Sequence, residues 1–306
     1  MTELLITGSE GLVGTALRNL DLKGARYIAR KDVDLTNFNA VRDLFLELRP
    51  QKIIHLAAQV GGIGGNLMHS GEYFRNNILI NTNVLESARL AGCDRLISYM
   101  STCVFPDKCE YPLNEKSLHN GPPHPSNFGY AYAKRMLEVQ STAYRKEWGC
   151  NYVVSIPTNI YGPGDNFNLT EGHVVPALIH RIFLAKQNNI DLEVWGTGKP
   201  LREFVYSADI AKLSIWAINN YNEEAPIIFT SGIESSIREL VEMVARVMKF
   251  KGKIIFNEDK PDGQFRKPSD GTKLKSYLPD FKWTPLDEGI ELTVDWFLTN
   301  YQTLRK

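Results

Sequence analysis

Ser101-Thr102-Cys103 and, further along, Tyr130 and Lys134 are the residues of this chain whose types and spacing suit chemistry. Residues 130 and 134 lie one helical turn apart, which sets both side chains on one face with Cβ atoms about 5–6 Å apart. A lysine ammonium there would hold a nicotinamide ribose and lower the phenol's pKa from its ordinary value of about 10. The phenol can then protonate a ketone oxygen while hydride arrives at carbon, and Ser101 or Thr102 can hydrogen-bond the same oxygen. Tyr132 is two residues from Lys134 and cannot face it, so Tyr130 is the expected acid. Cys103 is surplus to hydride transfer, and a thiol in that set implies acid/base work beside reduction.

The elements that must position these groups alternate. Short strands are expected at Leu4–Thr7, Arg26–Ala29, Lys52–Ala58, Arg95–Ser101 and Tyr152–Pro157, with helices at Gly11–Leu20, Phe38–Arg49, about Phe74–Ala91 and Phe128–Trp148 between them. That rhythm predicts an α/β fold, a Rossmann-type doubly wound parallel sheet with right-handed crossovers. After Asn159 the texture changes: Tyr161–His173 reads as a loop, with Gly162, Pro163 and Gly164 as breakers. Helices from Val174 and at Ala208–Tyr221, Ile237–Met248 and Leu286–Asn300, with strands at Leu192–Trp195 and Glu203–Tyr206, then suggest a smaller α/β substrate lobe at the sheet's carboxyl edge. Residues 1–162 are assigned to the dinucleotide lobe, re-entered at about 207–231, and residues 163–206 and 232–306 to the substrate lobe.

Gly8-Ser9-Glu10-Gly11-Leu12-Val13-Gly14 joins the first strand to the first helix. Such a loop needs glycine torsions for its tight turn and bare backbone where a pyrophosphate meets a helix N-terminus. A simple tight turn is the bland alternative; the flanking strand and helix favour the dinucleotide. The second strand ends in Ala29-Arg30-Lys31, whose cations suit a 2′-phosphate and favour NADP (NADPH) over NAD. Arg30 and Lys31 can also be merely solvated, and Asp32 can still reach a ribose. Asp34 and Leu35 are candidate adenine contacts.

The 306 residues, 43% hydrophobic, carry 35 basic and 35 acidic side chains, so no global field steers the chain to nucleic acid or a membrane surface. The N-terminus has no secretory pattern, no apolar run is long enough to span a bilayer, and the four cysteines lack metal-ligand spacing. A cytoplasmic protein with free thiols and no bound metal is expected.

The glycine loop, HLAA at residues 55–58, the strand-end Ser/Thr and Tyr-x-x-x-Lys together resemble the extended short-chain dehydrogenase/reductases. VGGI (60–63), STCVFPDK (101–108), HNGPPH (119–124), NFGYAYAKRM (127–136) and IPTNIYGPGDNFN (156–168) narrow the likeness to the GDP-4-keto-6-deoxy-mannose 3,5-epimerase-4-reductase family. GHVVPALIHR (172–181), VWGTGKPLREF (194–204) and KPDGQFRK (260–267) extend it over essentially the whole chain. Gly164 departs from the family, where His is common, as does Glu10, where some members are basic.

The resemblance implies a bifunctional NADPH-dependent enzyme that makes GDP-L-fucose from a GDP-linked 4-keto-6-deoxy sugar. Cys103 would be the base and His173 the acid of a double epimerisation, with Tyr130, Lys134 and Ser101 reducing C4. A C4 ketone acidifies the protons on C3 and C5, and inversion needs a proton returned from the opposite face. The bland alternatives are a buried small hydrophobe for Cys103 and a helix cap for His173. Leu56, Ala57, Ala58, Pro157, Asn159, Ile160 and His173 complete the implied cofactor pocket, and Arg181, Trp195, Arg202 and Asp262 the implied substrate contacts. Trp195 can instead be lobe core, and Asp262 plain turn chemistry. Other nucleotide-sugar reductases or epimerases, and a non-catalytic NADP sensor, are the rival functions; a dehydratase is disfavoured because Cys103-Val104 replaces its Asp-Glu pair. A second stripe, Tyr132, Met136, Val139 and Ala143, suits either a homodimer interface through long helices or burial within one subunit.

Overall fold

Strands too apolar to face water on either side require cover on both, and that requirement sets the architecture. In the computed structural model, which describes residues 2–260, 262 and 264–304, strands β1 (Leu4–Thr7), β2 (Ala25–Ile28), β3 (Lys52–His55), β4 (Arg95–Tyr99) and β5 (Asn151–Pro157) are joined by helices. With β9 (Ile227–Phe229) they form a six-stranded sheet ordered β2-β1-β3-β4-β5-β9, every pair parallel. The order reverses at β1, so the crevice between the ends of β1 and β3 is the place where an open α/β sheet receives a ligand.

Helices α2 (Phe38–Leu48), α4 (Ser70–Leu90) and α5 (Phe128–Trp148) cover one face, burying Val41, Phe45, Val84, Leu85 and Leu137 against Leu5, Ile53 and Leu96. Helices α1 (Leu12–Arg18) and α7 (Ser207–Asn220) cover the other, where Leu17, Ile210 and Leu213 meet Ile6, Ile54 and Ile97. A short α3 (Ile63–Met68) precedes α4. Asn37 caps α2 by accepting from the Ala40 N–H, one of the orphan donors a helix start leaves.

The remaining elements build a third core. Helices α6 (Val174–Asn188), α8 (Ile237–Val247) and α10 (Leu286–Asn300) enclose Phe167, Ile182, Leu240, Val244 and Phe297. Alongside run two small sheets: β6 (Asn159–Tyr161) and β10 (Glu234–Ser236) flank β8 (Leu201–Tyr206), and β7 (Leu192–Trp195) pairs with β11 (Ile254–Asn257). Strand β6, not among the expected strands, ends at Tyr161, where the sequence reads as the start of a loop. Three residues carry no periodicity of their own, and their pairing with Phe204–Tyr206 makes them a strand. A last helix, α9 (Thr272–Tyr277), leans on β9.

Candidate active site

Gly8, directly after β1, has φ +70°, and a Cβ there would sit 2.6 Å from the Ala57 nitrogen at the end of β3. A Cβ on Gly14 would come 2.6 Å from the Gly8 carbonyl oxygen. Glycine is therefore required at both places by contact, not only by torsion. Gly11 is the N-cap of α1 and offers no capping side chain, Ser9 is buried, and Val13 points into the core, so bare backbone lies open at the helix start, with Glu10 the exposed charged side chain of the loop. This shape fits a dinucleotide pyrophosphate.

At the tip of β2, Asp32 accepts a 2.8 Å hydrogen bond from the Ala29 N–H and so closes its own turn, which argues against its reaching a ribose. Arg30 is exposed, while Lys31 forms an exposed 3.1 Å ion pair with Glu10. A surface pair of this kind is worth at most about 1 kcal/mol and yields to a phosphate. Asp34 accepts from the backbone N–H and hydroxyl of Thr36, which hold its carboxyl below the usual range, and the Leu35 carbonyl accepts from Asn83. Leu56 and Ala58 flank Ala57 at the end of β3, partly buried.

Tyr130 and Lys134 on α5 are 8% and 3% exposed, which removes the reading of an ordinary helix surface. Lys134 Nζ donates to the Tyr99 carbonyl at 2.8 Å and lies 6.0 Å from the Tyr130 ring centroid. Contrary to what the Tyr130–Lys134 spacing predicts, the phenol is not lowered. Burial, with Cys103 adding to it, pushes Tyr130 above its ordinary value. Burial pulls Lys134 down, to about 8. Helical spacing reveals that the two side chains are neighbours, but dehydration decides their ionisation.

Cys103 lies in a 3-10 turn, Thr102–Val104, directly after β4, with Ser101 as its N-cap. Burial raises the thiol's pKa, while Lys267, Ser101, Asn127 and Lys134 all favour the thiolate. Lys267 and Asn127 are functional candidates that the sequence-level reading does not single out. A lysine in a Pro/Gly-rich loop reads as solvated, and only the return of residues 267–270 against Leu113 brings it inward.

His173 occupies the N-cap position of α6, yet its side chain caps nothing and is exposed. Pro157 is buried, Ile160 half-buried, and exposed Asn159 donates to the Glu203 carbonyl. In the second lobe, half-buried Arg202 reaches the Leu201 carbonyl at 2.7 Å, and burial lowers its pKa. It shares the electrostatic neighbourhood of Lys267. Exposed Arg181 donates to the Leu169 carbonyl. Trp195 is 59% exposed, with Lys260 Nζ 5.6 Å from its ring, and is not lobe core. Asp262 accepts from the N–H and hydroxyl of Thr197, pinning its loop to the turn after β7.

Residues 4–232 match the NAD dependent epimerase/dehydratase family. The chain is 46% identical over 311 residues to the GDP-L-fucose synthase of Dictyostelium discoideum, covering 99% of this chain and 97% of that one. It is 34% identical to the GDP-L-fucose synthase of Escherichia coli (strain K12), covering 99% and 98%. A crystal structure of a GDP-L-fucose synthetase from Naegleria fowleri bound to NADP superposes with a TM-score of 0.95 at 40% identity, covering 99% of this chain and 94% of that one.

Proposed function

The chain belongs to the NAD dependent epimerase/dehydratase family and, within it, to the GDP-L-fucose synthases, and we propose that Cys103, His173, Ser101, Tyr130 and Lys134 carry out its chemistry. It converts GDP-4-keto-6-deoxy-D-mannose to GDP-L-fucose by epimerising C3 and C5 and then reducing C4. NADPH, when bound, supplies the hydride for that last step.

The Cys103 thiolate takes a proton from carbon, so a C–H bond breaks, an S–H bond forms and charge moves to the C4 oxygen. Ser101 stabilises that enolate by hydrogen bonding. His173 delivers a proton to the opposite face of the same carbon, which inverts the centre, and solvent resets both groups. One thiolate serves both centres because C3 and C5 flank one carbonyl. In the reduction, Tyr130 gives its proton to the C4 oxygen as the alcohol forms. Lys134 and Gly8–Gly14 would hold the cofactor, with Arg30 and Lys31 toward a 2′-phosphate and Leu56–Ala58, Pro157, Asn159 and Ile160 along its length. Arg202 suits the substrate diphosphate because its fork pairs two oxygens, and Arg181, Trp195 and Asp262 suit the nucleoside and sugar.

The 3-10 turn that carries Cys103 packs against α5, which carries Tyr130 and Lys134, and that packing, with the electrostatic influence of Cys103 on both, carries the proposal. We assign residues 1–162, with 207–231, to the cofactor lobe and the remainder to the substrate lobe. Exposed Phe74 and Leu79 on α4, with Phe128 and Val139 on α5, support a homodimer through these helices. Among the described residues no helix is long and apolar enough to cross a membrane. The four free cysteines suit the cytoplasm. The deciding assay is NADPH consumption with GDP-, dTDP- and UDP-linked 4-keto-6-deoxy sugars, with product stereochemistry determined. Turnover restricted to the GDP sugar, with inversion at C3 and C5, is expected; reduction without inversion would refute the epimerase half.

A further inference from the structure

Lys134 and Arg135 are consecutive cations on α5, each 3% exposed. Among the described residues no carboxylate lies within ion-pair distance of either; their hydrogen-bond partners are carbonyl oxygens. Two adjacent buried charges without an anion are expensive to keep, so the pair calls for an explanation in this site.

The Arg135 contacts supply one. Its Nε donates to the Val104 carbonyl at 2.5 Å and its Nη1 to the Gly121 carbonyl at 2.7 Å, while the guanidinium lies 5.3 Å from the Tyr132 ring centroid. Val104 is the residue immediately after Cys103 and the last of the 3-10 turn that presents the thiol. Gly121 belongs to the returning strand of the same loop, where the Asp107 N–H donates to the Pro122 carbonyl and Pro106 bridges Pro123. One guanidinium therefore ties both sides of the thiol loop to the helix that carries the phenol.

We propose that Arg135 is a positioning residue for Cys103, fixing the backbone turn that presents the thiol to the pocket shared with Tyr130 and Lys134. The inference rests on the assignment of Cys103 as the epimerisation base and deepens it. The geometry is supported electrostatically: although burial lowers the guanidinium's pKa, an ionised Cys103 acts to raise it, so the two charges favour each other. The third nitrogen, Nη2, is buried and makes no hydrogen bond to a described residue.

A residue that only stabilised the fold would, when changed, lower every activity together. Arg135→Met should instead split them. Deuterium uptake at C3 and C5 of the GDP keto sugar in heavy water should fall roughly 10²-fold, the scale of a 1 Å misplacement of a reacting group. NADPH oxidation on the already epimerised 4-keto sugar should persist. Arg135→Lys, which retains one donor for the Val104 carbonyl, should recover part of the exchange. Equal losses in both assays, or no loss of exchange, would overturn the proposal. Should Arg135→Met not fold, the same comparison is made with Arg135→Lys, where a selective loss of exchange supports the proposal and a parallel loss refutes it. Exchange that survives in Cys103→Ser would remove the underlying base assignment, whatever the Arg135 variants do.

Discussion

Lys134→Met should reveal an energetic cost built into the site, and its size follows from the structure. The ammonium is 3% exposed, and burial lowers its pKa from 10.5 to about 8. At 1.36 kcal/mol per pH unit, that fall corresponds to about 3 kcal/mol of unfavourable dehydration in the charged form. Against that cost stands the 2.8 Å hydrogen bond to the Tyr99 carbonyl, a charged-donor bond worth about 1.5–3 kcal/mol, while the pull of an ionised Cys103 is already contained in the fall. At pH 7 the two nearly cancel, so the variant should unfold at a urea midpoint close to that of the parent while losing reductase activity. The pH dependence discriminates. Between pH 8 and the ordinary lysine value the unfolded chain holds a proton that the native site has released, so parental stability rises with pH, by up to about 1.4 kcal/mol per unit. Below pH 8 both states are protonated and the full cost remains. The methionine variant has no such proton, so subtracting its urea-unfolding free energy from the parent's should give a difference that climbs by about 3 kcal/mol over that window. A flat difference would refute the buried-charge argument.

Three further outcomes are expected. Cys103→Ser should reduce deuterium uptake at C3 and C5 roughly 10²–10⁴-fold, the range of one general-base contribution, and unchanged uptake would exclude the thiol. Tyr130→Phe should do the converse, with exchange persisting while NADPH oxidation collapses by a similar factor; equal loss of both would contradict the division of labour. Gly14→Ala places a Cβ 2.6 Å from the Gly8 carbonyl oxygen and the Ser9 Cα, an overpacking cost of about 1–3 kcal/mol. The NADPH dissociation constant, measured by fluorescence titration, should rise roughly 10–100-fold by the 1.4 kcal/mol-per-decade rule; an unchanged value would show that the loop can yield.

What the sequence made legible was local. The glycine loop, the Tyr130–Lys134 spacing and helix Phe128–Trp148 depend on neighbours within a turn or two, and the structure has that helix at the expected bounds. What stayed hidden depends on partners far along the chain. Lys134 finds its carbonyl 35 residues away and Arg135 finds one 31 away. Lys267 comes within electrostatic reach of Cys103 on a segment held against Leu113, whose N–H donates to the Pro268 carbonyl. The direction of the Tyr130 shift is hidden for the same reason, since desolvation is a property of everything folded over a residue. Lys31, legible as a phosphate ligand, is paired with Glu10, a contact that the departure at that loop position foreshadowed.

Under the proposed assignment, Cys103, Tyr130 and Lys134 sit on or against α5, whereas Arg202 comes from β8 beyond the main sheet, so the groups proposed to react and the group proposed to hold the diphosphate are carried by different elements.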